Sequence, residues 1–479
     1  DTPIGRTLTA VIGGALTGVA VLTGAWPVAI LGLAAVAGAT SALDPMRRVL
    51  IGTAAGGVHA TVTTLWVLPF TLAGTIALIL LQASGWGLAT LAASRRARWP
   101  WPLAPAFAIS EWARAYWPLG GYPLAQLWLT QADGPFMAIA PLLGPFAITA
   151  AIVLVATAAG AALRGQPNAM RVLVPSLIVI GAAHLQPVPP SDATVEVAAV
   201  QGGDRRGVPA VHADPGPLLG RQIDLTRSLD TAVDVAVWPE SSVAVEGEMS
   251  QSDRERLQDI ARGFDGVLVV GLVERFDREA GAGWFHNAAV ALDDTGQLAR
   301  YNKQIPVPFG ERVPVRGLVE RFVDLSLVPR DMVAGTGPPI LRTGPIDIGV
   351  AISYENLFPR IARHATRESA DLLVVPTLAS SYVTDEIPTQ QLAAARMRAR
   401  ENGRDLAIVG STGPTALIRA DGTLATRAPL DEPAIARTRL HARSETTAYS
   451  RYGDLPLIVM ATSALLLLAW RRLATRRPR

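Results

Sequence analysis

The sequence predicts a layered α/β domain set between membrane-spanning helices. Three observations lead there: too little charge for a soluble chain of this length, a series of apolar segments of bilayer-crossing length before residue 190, and a later region where short apolar runs alternate with helical patterns.

Of the 479 residues, 50% are hydrophobic and 17% charged. Soluble domains carry about 25% charged residues, and the mean hydropathy is +0.30. The deficit is uneven: residues 7–93 hold almost no charge outside short Arg clusters, whereas 200–454 has the composition of a soluble protein. A net charge of +3 raises the possibility of a nucleic-acid partner, but the arginines cluster at helix ends and no basic stripe with interleaved aromatics exists. Nucleic acid is therefore not an expected partner. With no cysteine and six scattered histidines, neither a disulfide framework nor a metal site is expected. Asp1-Thr2-Pro3 has no basic leader region, so the start is read as the first transmembrane helix of a trimmed chain.

Candidate spans lie at 7–24, 27–43, 49–69, 71–93, 101–117, 136–163, 171–187 and 455–470. Basic residues favour the cytoplasmic side. Arg47 and Arg48, then Arg95, Arg96 and Arg98, then Arg164 and Arg171, and the tail from Arg471 all fall on one side if there are about eight spans with cytoplasmic termini. This divides the chain into a helical domain at 1–187, an extracytoplasmic domain at 188–454, and a last helix with a basic cytoplasmic tail at 455–479. The 118–135 loop falls on the extracytoplasmic side. Trp99, Trp101, Trp112, Trp117 and Trp128 read as interface anchors, and Glu111 with Arg114 as an interfacial ion pair.

Pro187-Val188-Pro189-Pro190 cannot continue a helix and serves as a linker. Strands follow at Thr194–Gln201, Asp234–Trp238, Gly266–Glu274, Phe285–Leu292, Ile346–Ile352, Asp371–Pro376, Leu406–Ser411 and Ala416–Arg419. Helical patterns occupy 216–230, 250–263, 357–369 and 388–402, so the sheets are buried beneath helices. Turn residues at 293–296 and 420–422 predict hairpins and hence mixed sheets. Gly202-Gly203-Asp204 lacks the spacing of a dinucleotide loop. Polar groups stand where apolar strands end: Trp238-Pro239-Glu240, Tyr301-Asn302-Lys303, and Ser353-Tyr354-Glu355. A rigid sheet displays functional groups at such ends. Arg396, Arg400 and Arg404 recur at helical spacing and read as a solvated face or as ion pairs with Glu401.

The order of these motifs, with Val307-Pro308-Phe309-Gly310-Glu311-Arg312-Val313-Pro314 after the lysine and membrane spans on both sides, resembles the apolipoprotein N-acyltransferases of the nitrilase superfamily. Ser110-Glu111-Trp112, Gln131-Ala132-Asp133-Gly134-Pro135, Arg400-Glu401-Asn402-Gly403-Arg404 and Arg451-Tyr452-Gly453-Asp454 extend the similarity over residues 10–470. The resemblance implies a nitrilase-like αββα sandwich. It also implies roles: Glu240 as general base, Lys303 as oxyanion stabiliser, residue 353 as nucleophile, and Glu311, Tyr354 and Glu355 in support.

Two departures stand out. Position 353, cysteine in the family, is serine, and Gln201-Gly202-Gly203-Asp204 runs on to Ala210 without the family's tryptophan. A hydroxyl is a much weaker acid than a thiol. Three readings of Ser353 are open: an engineered replacement that traps an inactive enzyme, a natural serine homologue that is inactive or differently used, and a working serine nucleophile.

The resemblance further implies a multi-pass protein of the bacterial cytoplasmic membrane, monomeric and without cofactors. It would move an acyl chain from a phospholipid donor to the α-amine of a diacylglyceryl apolipoprotein acceptor. The rival expectation is a non-catalytic membrane scaffold of the same fold, partnering a polyprenol-phosphate glycosyltransferase.

Overall fold

A computed structural model describes every residue except 1, 94–100, 167, 204–215, 279–281, 322–323, 327, 379, 381–384 and 475–479. The arginines expected at 95, 96 and 98, Trp99, and the end of the basic tail thus lie outside the described residues. The chain forms two compact units, Asp1–Pro187 with Tyr452–Arg479, and Val188–Arg451.

The first unit is helical. Among the described residues four helices are long and apolar enough to cross a membrane: Pro3–Thr23, Leu72–Thr90, Pro145–Leu163, and the stretch Pro45–Val67, which ends in a 3₁₀ turn. Trp26–Thr40, Ala169–Ala183 and Leu455–Trp470 are shorter apolar helices. The candidate at 101–117 yields only the 12-residue helix Leu103–Arg114, about 18 Å long at 1.5 Å per residue. Close packing explains the small residues: a side chain at Gly14 would meet the Ala55 carbonyl oxygen at 2.1 Å.

The connection after this short helix differs from an open loop. Residues 121–131 are buried, and their 3₁₀ part packs against Pro3–Thr23, Trp26–Thr40 and Pro145–Leu163. Irregular backbone at such a place must find internal partners. Arg114 Nη1 donates to the Tyr122 and Leu124 carbonyls (3.2 and 2.6 Å), His59 Nε2 to the Ala125 carbonyl (3.1 Å), and the Leu127 amide to Glu111 Oε1 (2.7 Å). Glu111 and Arg114 therefore clamp backbone, a task the interfacial-pair reading did not include. Trp128 is fully buried, with its indole N–H on Gln126 Oε1 (2.6 Å), and cannot be an interface anchor.

Among the described residues the second unit contains 14 strands. In chain order they are β1 (Ala193–Gln201), β2 (Val235–Val237), β3 (Val243–Glu246), β4 (Val267–Phe276), β5 (Gly283–Leu292), β6 (Gln297–Asn302), β7 (Arg330–Met332), β8 (Ile340–Arg342), β9 (Asp347–Val350), β10 (Leu372–Thr377), β11 (Leu406–Gly410), β12 (Ala416–Ile418), β13 (Leu424–Arg427) and β14 (Ala434–Ala442). One sheet runs β14-β1-β2-β4-β5-β6, with β3 on β4 and β7 on β5; the other runs β13-β12-β11-β10-β9-β8. The turns at 293–296 and 419–423 join antiparallel pairs β5–β6 and β12–β13, so both sheets are mixed.

Alternation along β1 explains the layers. Val195, Val197 and Ala199 enter the core between the sheets, together with Val235, Val237, Ile348, Val374 and Val409. Ala198 and Val200 face the other way, with Trp238, Leu257 and Ile260, beneath helices Gly216–Arg227 and Gln251–Arg262. Helices Pro359–Arg367 and Glu386–Asn402 pack against β9 and β11 of the second sheet. The result is an αββα sandwich with strands buried on both faces, hence the near-continuous apolar runs.

The expected solvated Arg face is not found. Arg404 is fully buried and donates to the Ala370, Ser444 and Glu445 carbonyls, Arg400 is 8% exposed, and buried Arg398 is the residue paired with Glu401 (3.2 Å). Charge at helical spacing looked solvated because a sequence does not show which carbonyls a guanidinium can reach.

Candidate active site

Glu240 follows β2 directly. The Trp238 amide donates to the Val269 carbonyl (2.8 Å), keeping the strand in register to its last residue, and the Trp238 indole is fixed on Thr226 Oγ1 (2.9 Å). The next turn passes so close to β4 that a side chain at Gly271 would lie 2.2 Å from the Pro239 carbonyl oxygen and 2.7 Å from Glu240 Cα. Only glycine at 271 admits this approach.

Lys303 emerges from β6, and its amide donates to the Asn287 carbonyl on the neighbouring strand (2.8 Å). Its ammonium is 1% exposed and reaches Glu240 Oε1 at 3.0 Å and Glu311 Oε1 at 2.7 Å. Burial alone would lower the lysine's pKa; the Glu240 and Glu311 carboxylates outweigh it and hold the ammonium above the ordinary lysine range. Asn287 Nδ2 bridges the same two carboxylates, at 2.7 Å from Glu240 Oε1 and 3.2 Å from Glu311 Oε1. Glu311 Oε2 accepts the Val307 amide (2.8 Å), which folds the Pro-rich loop back onto the cluster.

Ser353 is the third residue after β9 and has φ of 51°, in the left-handed region that an L residue rarely adopts. Its side chain is half-buried. Glu355 supports the turn: it is fully buried, and Oε2 accepts the Ile352 amide (2.9 Å) while Oε1 accepts the Gln304 and Ile305 amides and the Tyr301 hydroxyl (2.6, 3.1 and 2.9 Å). One carboxylate thus ties the Ser353 turn to the backbone just after Lys303. Burial pushes the Glu355 carboxyl up to about 7, against these donors. Tyr354 is 7% exposed and packs edge-on against Phe358.

The end of β10 completes the site. Thr377 Oγ1 donates to Ser353 Oγ (3.3 Å), and the next amide, Leu378 N–H, donates to Glu240 Oε2 (3.0 Å). Lys303 thus contacts both Glu240 and Glu311, whereas among the described residues Ser353 makes no hydrogen bond to any of the three and is linked to them through this strand end. Asn287 and Thr377 are absent from the sequence-based site. A polar residue within the apolar run Asn287–Leu292, and one closing Leu372–Pro376, were the signals available. Among the described residues no group of His, Asp and Glu could hold a metal ion. The segment after Gln201-Gly202-Gly203, where the family tryptophan is missing, lies outside the described residues.

The carbon-nitrogen hydrolase family profile matches residues 196–448, and the profile of the apolipoprotein N-acyltransferase N-terminal domain matches 13–158. The apolipoprotein N-acyltransferase of Azotobacter vinelandii is 30% identical over 95% of this chain and 92% of its own length. That of Shewanella oneidensis is 25% identical over 75% and 71%. Among solved structures, Saccharomyces cerevisiae Nit3, a nitrilase-superfamily protein, aligns with 53% of this chain and 92% of its own at 17% identity and a TM-score of 0.39. An amidase from Nesterenkonia sp. aligns with 57% and 97% at 19% identity and a TM-score of 0.38. The two profiles and the near-full-length relative place the chain in the apolipoprotein N-acyltransferase family, with a carbon-nitrogen hydrolase domain over residues 196–448.

Proposed function

We propose that the protein transfers an acyl chain from a phospholipid to the N-terminal α-amine of a diacylglyceryl-cysteine apolipoprotein, through an acyl-enzyme on Ser353. The observation that carries this reading is the contact of buried Lys303 with both Glu240 and Glu311, linked through the end of β10 to half-buried Ser353 at positive φ.

In the first step Ser353 Oγ attacks the ester carbonyl of the phospholipid and its proton passes to Glu240. The carbonyl electron pair becomes an oxyanion. Lys303 has three N–H bonds, of which two are used on Glu240 and Glu311, leaving one for that oxyanion. Collapse breaks the bond to the glycerol oxygen, which takes the proton from Glu240 and leaves as lysophospholipid. In the second step the acceptor amine attacks the serine ester, gives its proton to Glu240, and displaces Oγ, which recovers it. An ester becomes an amide, a downhill exchange that requires neither nucleotide nor metal.

Both substrates are membrane lipids by half, which suits a domain joined at each end to apolar helices. The charge distribution supports about eight spans, cytoplasmic termini and an extracytoplasmic domain in the bacterial cytoplasmic membrane. We assign residues 188–454 to the catalytic domain and take the monomer as the working unit.

The test is direct. Purified protein supplied with phosphatidylethanolamine should gain the mass of one fatty acyl chain on Ser353, and lose it to a synthetic diacylglyceryl-cysteine peptide. Ser353→Ala should gain nothing, and Glu240→Gln should slow the gain by about 10²–10⁴-fold. An adduct on another residue, or one indifferent to Glu240, would overturn the assignment.

A further inference from the structure

We propose that Thr377 is a further catalytic residue, matched to an oxygen nucleophile: its hydroxyl orients Ser353 Oγ and stabilises the negative charge that develops there. The proposal rests on the functional reading above. Its observations are the placement of Thr377, the contact it makes, and the element chemistry of residue 353.

Thr377 closes β10, every residue of which is buried, and is itself 1% exposed. Its neighbours on the strand are Val374, Val375 and Pro376, a setting in which valine would be the expected residue. A buried hydroxyl costs free energy unless it is hydrogen-bonded. Among the described residues the bond this hydroxyl makes is the one to Ser353 Oγ, at 3.3 Å. A β-branched side chain on a strand has few rotamers, so Oγ1 is held in place before substrate arrives.

The geometry has a chemical consequence. A serine oxygen has one hydrogen and two lone pairs. Thr377 occupies one lone pair, which turns the Ser353 O–H away from it and leaves one lone pair for the carbonyl carbon. The base that must receive that hydrogen is anchored by the very next peptide unit, since the Leu378 amide holds Glu240 Oε2 at 3.0 Å. One strand end therefore sets both the nucleophile and its base.

As the proton leaves and the Oγ–C bond forms, charge on Oγ rises and the Thr377 bond becomes charge-assisted. Such bonds are shorter and roughly twice as strong as neutral ones. The resting distance of 3.3 Å exceeds the usual ~2.5–3.0 Å for O–H···O, so the contact has room to tighten in the transition state. Once the ester has formed, Oγ is a poor acceptor and the bond relaxes. When the amine displaces Oγ, the same bond is regained. Thr377 thus favours both transition states over the states between them, the condition for raising turnover. Sulfur is a weak hydrogen-bond acceptor. A cysteine at 353 gains little from Thr377, and this is why the residue belongs with serine.

A four-member cycle tests the pairing: the present sequence, Thr377→Val, Ser353→Cys, and both together, with Thr377→Ser as the rescue. Acyl-enzyme formation from phosphatidylethanolamine is followed by intact mass, and kcat and KM are measured with a diacylglyceryl-cysteine peptide. Thr377→Val should slow acylation of Ser353 by about 10- to 100-fold with KM for phospholipid little changed. Thr377→Ser should recover to within about threefold. In the Ser353→Cys background the same Val substitution should cost less than about threefold. Equal losses in both backgrounds would make Thr377 a packing residue and overturn the proposal, as would no loss in either. If only the Cys protein acquires an acyl chain, Ser353 is no nucleophile and the functional reading falls, taking Thr377 with it. Thermal unfolding of each variant separates these outcomes from misfolding.

Discussion

Replacing Lys303 by methionine isolates the energetics of the buried charge cluster. The ammonium lies 3.0 and 2.7 Å from two carboxylates, with side-chain exposures of 1% for the lysine, 5% for Glu240 and 17% for Glu311. At an effective dielectric constant of about 20, each contact corresponds to roughly 5 kcal/mol of attraction, much of it offset by desolvation. Methionine fills the space and leaves two carboxylates facing one another without a cation. Removing one partner of a buried pair costs about 3–5 kcal/mol, which for a domain of this size lowers the unfolding midpoint by roughly 6–20 °C. The pH dependence carries a sign. In the natural protein the Lys303 pKa is raised above 10.5, so its stabilisation is complete below that pH and is lost as pH rises through the raised value. In the variant the stranded carboxylates titrate instead, with folded-state pKa values raised by mutual repulsion. Their penalty is absent below the unfolded value of about 4.3 and grows as pH rises. Thermal unfolding in detergent should therefore show a deficit at pH 8 that shrinks at pH 5. A variant as stable as the parent at pH 8, or a deficit of the same size at both, would refute the reasoning.

Three further outcomes are expected. Ser353→Cys should give an acyl adduct that neutral hydroxylamine removes within minutes, as thioesters allow, whereas the serine ester resists; mass spectrometry distinguishes the two. Glu355→Gln should flatten the stability profile between pH 4.5 and 7: the natural carboxyl is raised to about 7, so its contribution is complete below 4.5 and lost as pH rises through 7, while glutamine does not titrate; coincident profiles for the two proteins would count against this. A reporter that fluoresces only in the cytoplasm should be bright after Arg479 and dark within residues 188–193, and the reverse pattern would overturn the orientation drawn from the arginines.

How much of this was legible in the sequence depended on what encoded it. Strands buried on both faces write continuous apolar runs, so β1, β2, β4, β5, β9, β10, β11 and β12 were all anticipated. The edge strand β14 was not. Apart from Leu440 its inward apolar residues, Ala434, Ala436 and Ala442, are small, and its outward Arg437 and Arg439 pair with Glu196 on β1, so the segment reads as polar. The site was legible where a strand delivered a charge, as at Glu240 and Lys303. It was illegible where a neutral side chain acts by position, as with Asn287 and Thr377, because asparagine and threonine are common in any sheet. The burial of 121–131 was not legible for a related reason. The segment lacks helical periodicity and so reads as a loop, yet Arg114 and Glu111 of the preceding helix and the distant His59 meet its backbone needs.

The choice between enzyme and inert scaffold turns on what the second unit gives up to keep its cluster. A scaffold needs stability, and well-packed apolar residues of similar volume supply as much of it as a buried ion pair, often more. Glu240, Lys303, Glu311 and Asn287 are instead knit together by five hydrogen bonds and ion contacts (Lys303 to two carboxylates, Asn287 to the same two, Leu378 to Glu240). Around them lie a glycine required at 271 by the approach of Glu240 and a serine held at positive φ. Every one of these features lowers stability or leaves it no higher than an apolar substitute would. They are linked to Ser353 at one place, the end of β10, where Thr377 contacts Ser353 Oγ and the Leu378 amide holds Glu240. Buried charge tied by one strand end to a strained serine is what acyl transfer requires, since the oxyanion, the proton and the leaving group must each meet a partner already in place. An interaction scaffold has no use for that link.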